Sequence, residues 1–210
     1  MPKITNMRMR RGRPERFIVT IDDDQEFIFM PDTVLKYGIS LNKQFSDEEF
    51  LEIIKEDHLQ QAKDQAMRYL SARSHSRQEL IQKLRRKGYQ LDVIHCALND
   101  LEKIDLLNDE QFARLFIQNE IRLRLISREL LRHKLLSKGI SRDFCDSLLE
   151  EMYPAELENE IIRTLTEKFI KLHSHYQGKE LKKRLVNFLR NKGFQWDLIH
   201  QVLLKFNLMN

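Results

Sequence analysis

The feature that most restricts what this chain can fold into is an internal repetition. The run Lys87-Gly88-Tyr89-Gln90-Leu91-Asp92-Val93-Ile94-His95-Cys96-Ala97-Leu98 matches Lys192-Gly193-Phe194-Gln195-Trp196-Asp197-Leu198-Ile199-His200-Gln201-Val202-Leu203 at seven of twelve positions. A fainter copy starts at Lys138-Gly139-Ile140 and runs to Leu149, so the glycines at 88, 139 and 193 stand 51 and 54 residues apart. Self-similarity at about this period marks an array of stacked supersecondary units, each unable to bury its apolar face alone. Every copy divides in the same way: a long first helix, a second ending at Lys-Gly, and a third beginning near the Asp. In the first copy Ser76-x-x-Glu79 has the form of a capping box, Leu80, Ile81 and Leu84 make the apolar stripe of helix two, and Gly88 supplies the left-handed residue past its end. Asn108 with Gln111 opens the second copy, and Pro154 suits the first turn of the third.

The region before the repeats reads differently. Phe17, Val19 and Ile21, then Phe27, Ile28 and Phe29, flank the polar run Asp22-Asp23-Asp24-Gln25, the pattern of a β-hairpin with a four-residue loop. A short helix over residues 32–37 closed by Gly38 follows, and Ser46 with Glu49 caps the next. In that long helix the stripe Phe50, Ile53, Ile54 falls out of phase with Leu59, Ala62, Ala66, Tyr69 and Leu70. A single straight helix cannot aim two mismatched stripes at one core, which predicts a break near Glu56 to His58. The fold class is therefore mainly α: an elongated array of three tandem three-helix repeats with a small N-terminal β-hairpin plus helix region. The expected divisions are residues 1–57 for that region and 58–106, 107–153 and 154–210 for the repeats.

Composition narrows the function. Asp, Glu, Lys and Arg make up 32% of the chain, with only 6 Gly and 4 Pro, which suits solvated helices. Every apolar run is interrupted by charge well short of the roughly 18 residues of a membrane span, and the basic stretch at residues 1–16 lacks a following apolar segment. A soluble, cytoplasmic protein without a secretory signal is expected. Cys96 and Cys145 form no C-x-x-C pair and read as reduced, small core residues on third helices. His173-x-His175 has the wrong spacing for a helical metal pair, and His95 and His200 recur in equivalent positions, as packing or capping residues do. There is no Gly-rich phosphate loop and no nucleophile with a positioned base, so no catalytic residue, metal or cofactor is expected. Tyr69, Phe112, Phe116, Phe188 and Trp196 sit at helical spacing and read as core residues rather than base-stacking platforms.

A net charge of +4 decides little by itself, but the placement of the cations is informative. Helix two of the first copy carries Arg77, Lys83, Arg85, Arg86 and Lys87; that of the second carries Arg128, Arg132, Lys134 and Lys138; that of the third carries Lys179, Lys182, Lys183, Arg184, Arg190 and Lys192. Compensation of the helix macrodipole accounts for Lys87, Lys138 and Lys192 but not for basic character along the whole length. A positive stripe facing a polyanion or an acidic groove is the reading. The third helices are too apolar to read bases as a recognition helix does, so any nucleic-acid contact should be independent of sequence.

The stretch Ala66-x-Arg68-Tyr69-Leu70-Ser71, then Ser76-x-x-Glu79-Leu80-x-x-Lys83-Leu84-x-x-Lys87-Gly88-Tyr89, then Leu107-Asn108-Asp109-Glu110-Gln111-Phe112-Ala113-Arg114 is similar to the signature of the RecX family of regulatory proteins. Leu131-x-x-x-Leu135-x-x-Lys138-Gly139-Ile140 continues the likeness, which spans residue 59 to the C-terminus; where members often carry Gly-Pro, this chain has Ser127-Arg128. The resemblance implies a non-enzymatic, monomeric protein that lies on the filament of RecA recombinase and single-stranded DNA, and that modulates recombinase activity in DNA repair and recombination, inhibition being the expected sign. A sequence-nonspecific DNA-binding helical module is the alternative.

Overall fold

The structure is a computed structural model and describes residues 1–12, 15–22 and 25–208. Asp23 and Asp24 of the expected hairpin loop lie outside the described residues. The elements in order are β1 (Ile4–Arg10), β2 (Arg16–Ile21), β3 (Glu26–Phe29), α1 (Pro31–Tyr37), α2 (Asp47–Ala72), α3 (Arg77–Arg86), α4 (Leu91–Lys103), α5 (Asp109–Arg124), α6 (Arg128–Ser137), α7 (Arg142–Met152), α8 (Ala155–Leu172), α9 (Gly178–Asn191) and α10 (Trp196–Lys205). They divide into two compact units, residues 1–75 with 80–107 and residues 76–79 with 108–210.

The N-terminal sheet has three strands, not the two of a hairpin. β2 and β3 pair antiparallel as expected, with Phe17 opposite Phe29, and β1 adds to the outer side of β2 with Met9 opposite Phe17. Strand β1 is hard to recognise in sequence because only Ile4 of its seven residues is buried. It is an edge strand, and the arginines on it are of the kind that discourages pairing with another chain. Ile4, Val19, Ile21 and Phe29 of the sheet pack with Val34 of α1 and with Phe50 and Ile53 of α2. The Phe50 ring meets Phe27 edge-on at 5.1 Å and 89°.

Helix α2 runs without interruption for 26 residues from the Ser46–Glu49 capping box. The break expected near Glu56 to His58 is absent. The phase mismatch is nonetheless real, because the two stripes serve two cores: Phe50 and Ile53 enter the sheet core, whereas Ala66 joins Leu80, Leu84, Ile94, Leu98, Leu101 and Leu107. At the crossover sits Asp57, fully buried. Its carboxylate accepts from the Met30 N–H at 2.8 Å, the Thr33 hydroxyl at 2.5 Å and the Gln61 amide at 2.5 Å. Three donors onto one carboxylate offset its desolvation and tie α1 to α2.

In the second unit, α5 to α10 share one core. Phe112, Ile117, Leu131, Leu135, Cys145, Leu148 and Tyr153 of the second repeat are continuous with Ile161, Leu185, Leu189, Phe194, Ile199 and Leu203 of the third. The helix-two endings are near copies of one another. Gly88, Gly139 and Gly193 adopt φ of 92°, 86° and 88°. After each, the next N–H donates back across the turn, Tyr89 to Leu84, Ile140 to Leu135 and Phe194 to Leu189, the hydrogen-bond pattern of a left-handed helix cap.

Candidate interaction surface

The second helices place the cations named above, and their surroundings sort those cations into two groups. Each helix buries an apolar stripe: Leu80 and Leu84 in α3, Leu131 and Leu135 in α6, Leu181, Leu185 and Leu189 in α9. The stripe fixes which positions point outward.

Arg132, Lys134, Lys138 and Lys192 are turned onto the protein itself. Arg132 bridges Glu129 at 2.8 Å and Asp146 at 2.7 Å. Lys134 reaches the buried Glu120 at 2.6 Å, and Lys138 pairs with Glu79. Lys192 donates to the Arg124 carbonyl at 2.6 Å. Burial, followed by the charges of Lys134 and Arg124, holds the Lys192 ammonium below the usual lysine range. The Arg128 backbone N–H donates to Glu158 at 2.9 Å, while its Nε is buried without a hydrogen-bond partner among the described residues. In Arg77 too the backbone N–H is held, by Asp109 at 2.7 Å.

Arg85, Arg86, Lys87, Lys183 and Arg190 are exposed, and none of them forms an ion pair among the described residues. Lys83 lies over the Tyr69 ring at 4.5 Å, with its stem half-buried, and Lys182 is likewise half-buried. Arg184 is paired with Glu180 at 3.0 Å and stacks 4.1 Å from the Tyr176 ring, whereas Lys179 is exposed. The end of α3 is therefore the densest run of solvent-facing cations among the described residues of the first unit.

What the sequence hid was the acids. Glu120 and Asp146 look like ordinary helix-surface carboxylates, and Glu79 like a capping-box acid; only the folded chain brings them against Lys134, Arg132 and Lys138. Among the other candidates, Cys145 is buried as expected, its thiol pushed up by burial and by Asp146, but Cys96 is exposed and not a core residue. Trp196 is also 56% exposed, at the first position of α10, against the expectation that it fills a core. Phe112 is buried, and Tyr69, Phe116 and Phe188 are half-buried and packed against the cores. His95 is exposed, and His200 lies 6.1 Å from the Trp196 ring. His173 and His175 are 6.0 Å apart in an aromatic cluster with Phe169 and Tyr176. Among the described residues no group of three His, Cys, Asp or Glu side chains converges in a way that could hold a metal ion, and no helix is long and apolar enough to cross a membrane.

A protein of this kind presents its neighbours with helix faces and repeat surfaces. It is a helical-repeat protein, and comparison with known proteins places it more narrowly. Residues 62–101 match the model of the first three-helix domain of RecX, and residues 156–203 match that of the third. "Regulatory protein RecX" of Clostridium perfringens is 30% identical over 205 residues, covering 97% of this chain and 95% of the relative. The protein of the same name from Caldanaerobacter subterraneus is 29% identical over 195 residues, covering 93% and 95%. A crystal structure of a regulatory protein RecX superposes with a TM-score of 0.66 at 18% identity, over 96% of this chain and 98% of that one. RecX from Lactobacillus salivarius superposes with a TM-score of 0.61 at 26% identity, over 73% and 99%. The chain belongs to the RecX family of regulatory proteins.

Proposed function

We propose that this chain is a cytoplasmic, non-enzymatic modulator of RecA recombinase that binds the filament formed on single-stranded DNA and inhibits its activity. The single observation that carries the reading is the run Arg85, Arg86 and Lys87, exposed and without ion-pair partners among the described residues at the end of a helix whose apolar stripe is fully committed to the core. Such a run attracts a polyanion or an acidic protein groove. The other cations of the stripe, Lys183 and Arg190 foremost and then Arg77, Lys83, Arg128, Arg132, Lys134, Lys138, Lys182 and Lys192, serve the same binding more weakly where they already have partners within the fold.

The test is addition of the protein to preformed RecA filaments, with ATP turnover and filament length as readouts. Both should fall at saturation, and the triple variant Arg85→Glu, Arg86→Glu, Lys87→Glu should need at least tenfold more protein for the same effect. Filaments indifferent to the wild-type protein would eliminate the reading. A DNA-binding module acting alone makes a different prediction: naked single-stranded DNA would bind as tightly as the filament.

A further inference from the structure

The Lys-Gly turn of the repeat does more than end helix two, because twice in this chain it is a seat for another helix. In the second repeat, the Ser76 hydroxyl donates to the Lys138 carbonyl at 2.7 Å, and the Lys138 ammonium pairs with Glu79. A Cβ on Gly139 would lie 2.6 Å from the Cβ of Gln78. In the third repeat, the Ser127 N–H donates to the Lys192 carbonyl at 2.9 Å, and a Cβ on Gly193 would lie 2.5 Å from the Cβ of Leu130 and 2.6 Å from the Ser127 hydroxyl. Both occupants are the same object. Each is the first turn of the preceding repeat's second helix, led by a serine whose hydroxyl also accepts from the N–H three residues on, Glu79 or Leu130. Beside Gly193 a cavity of about 230 Å³ remains between that helix start and the wall made by Gln195 and Leu198.

The first repeat carries the same turn. Lys87, Gly88, Gln90 and Val93 correspond to Lys192, Gly193, Gln195 and Leu198, and Gly88, Gln90 and Val93 line a cleft of about 260 Å³ with His58 and Gln61 of α2. Lys87, Gly88 and Gln90 are exposed, and no described residue comes within 4 Å of a Cβ placed on Gly88. Gln90 and Gln195 are identical although both are exposed and neither caps its helix through its side chain, so neither packing nor capping explains the repetition.

We propose that the Lys87–Gly88 turn of the first repeat is a docking socket for the N-terminus of a helix on a partner protein, one that begins with a serine or threonine and carries a carboxylate in its first turn. The Lys87 carbonyl takes the hydroxyl or N–H of the capping residue, the Lys87 ammonium takes the carboxylate, and the absent Cβ of Gly88 admits the helix backbone. A second copy of this chain fits less well. Its remaining second-helix start, that of α9, is Gln177-Gly178-Lys179, which has no hydroxyl and no side-chain cap. The assignment stands apart from the recombinase reading, since it specifies the docking element and not the protein that bears it.

The probe is a helical peptide of residues 74–87, which contains Ser76 and Glu79, stapled through the outward positions 82 and 86. Titrated into the isotope-labelled full chain, it should shift the amide signals of Gly88, Gln90 and Val93 in a saturable way. Gln90→Trp, which fills the cleft and leaves every cation in place, should weaken binding tenfold or more. Lys87→Glu should do the same, and a peptide with Glu79→Lys should recover most of the loss against that variant while binding poorly to the wild type. The proposal is overturned if those amides do not move, if only those of residues 138–140 move, or if the charge swap rescues nothing. Sedimentation of the protein alone completes the test: self-association that Gln90→Trp abolishes would assign the socket to a second copy and overturn the partner.

Discussion

At the scale of single residues, the three turn glycines separate two demands that usually coincide. All three need a left-handed backbone, so Ala at any of them costs about 1 kcal/mol or somewhat more. Gly139 and Gly193 also have a neighbour where a Cβ would go, and Gly88 does not. Gly193→Ala should therefore be worse than Gly88→Ala by about 2 kcal/mol, because an overpacked contact adds to the strain; equal unfolding midpoints in urea would contradict this. Tyr153 offers a second case. It is fully buried, and its hydroxyl donates to the Ile126 carbonyl at 2.7 Å. Burial, and then Glu158, push its pKa far above the ordinary value of 10.0. A phenol whose folded pKa is raised favours the fold while it is neutral, so its contribution is complete below pH 10 and is lost as the pH rises beyond it. Tyr153→Phe should cost about 1 kcal/mol at neutral pH, from the unsatisfied carbonyl, and should flatten the alkaline decline in stability.

At the scale of elements, α2 is the member that ties a sheet to a helical repeat, and Asp57 is the point where it does so. Replacing Asp57 by Ala would strand the Met30 N–H, the Thr33 hydroxyl and the Gln61 amide in or near the core, each at about 1–3 kcal/mol. The loss should be local. Hydrogen exchange should accelerate over α1 well before it does over α3 and α4, whose core of Leu80, Leu84, Ile94 and Leu98 does not touch this site. Uniform acceleration across the first unit would show that the sheet and the helical repeat unfold as one. The same helix shows how periodicity misleads. A change of stripe phase at Ile54 is legible in sequence, but whether it means a break or a change of partner depends on what packs opposite each half.

For the molecule as a whole, the charge pattern makes the salt dependence of binding a measurement of how many cations take part. If Arg85, Arg86 and Lys87 each contact a phosphate of single-stranded DNA, removing all three should reduce the slope of log affinity against log salt by about 2. An unchanged slope would mean that they meet protein or nothing. Cations such as Lys134 and Lys138 should matter far less to that slope, since Glu120 and Glu79 neutralise them in the free protein. The sequence by itself determined the three-helix repeats, their left-handed glycine turns, the hairpin of β2 and β3, and the concentration of lysine and arginine on second helices. These are local matters of periodicity, capping and composition, which neighbouring residues decide among themselves. Only the tertiary structure decided that α2 is continuous, that β1 joins the sheet, that Cys96 and Trp196 face solvent, and which cations are already paired. Several of those turn on residues far apart in sequence, as Lys138 and Glu79 are at 59 positions, and no short window of sequence holds both members of such a pair.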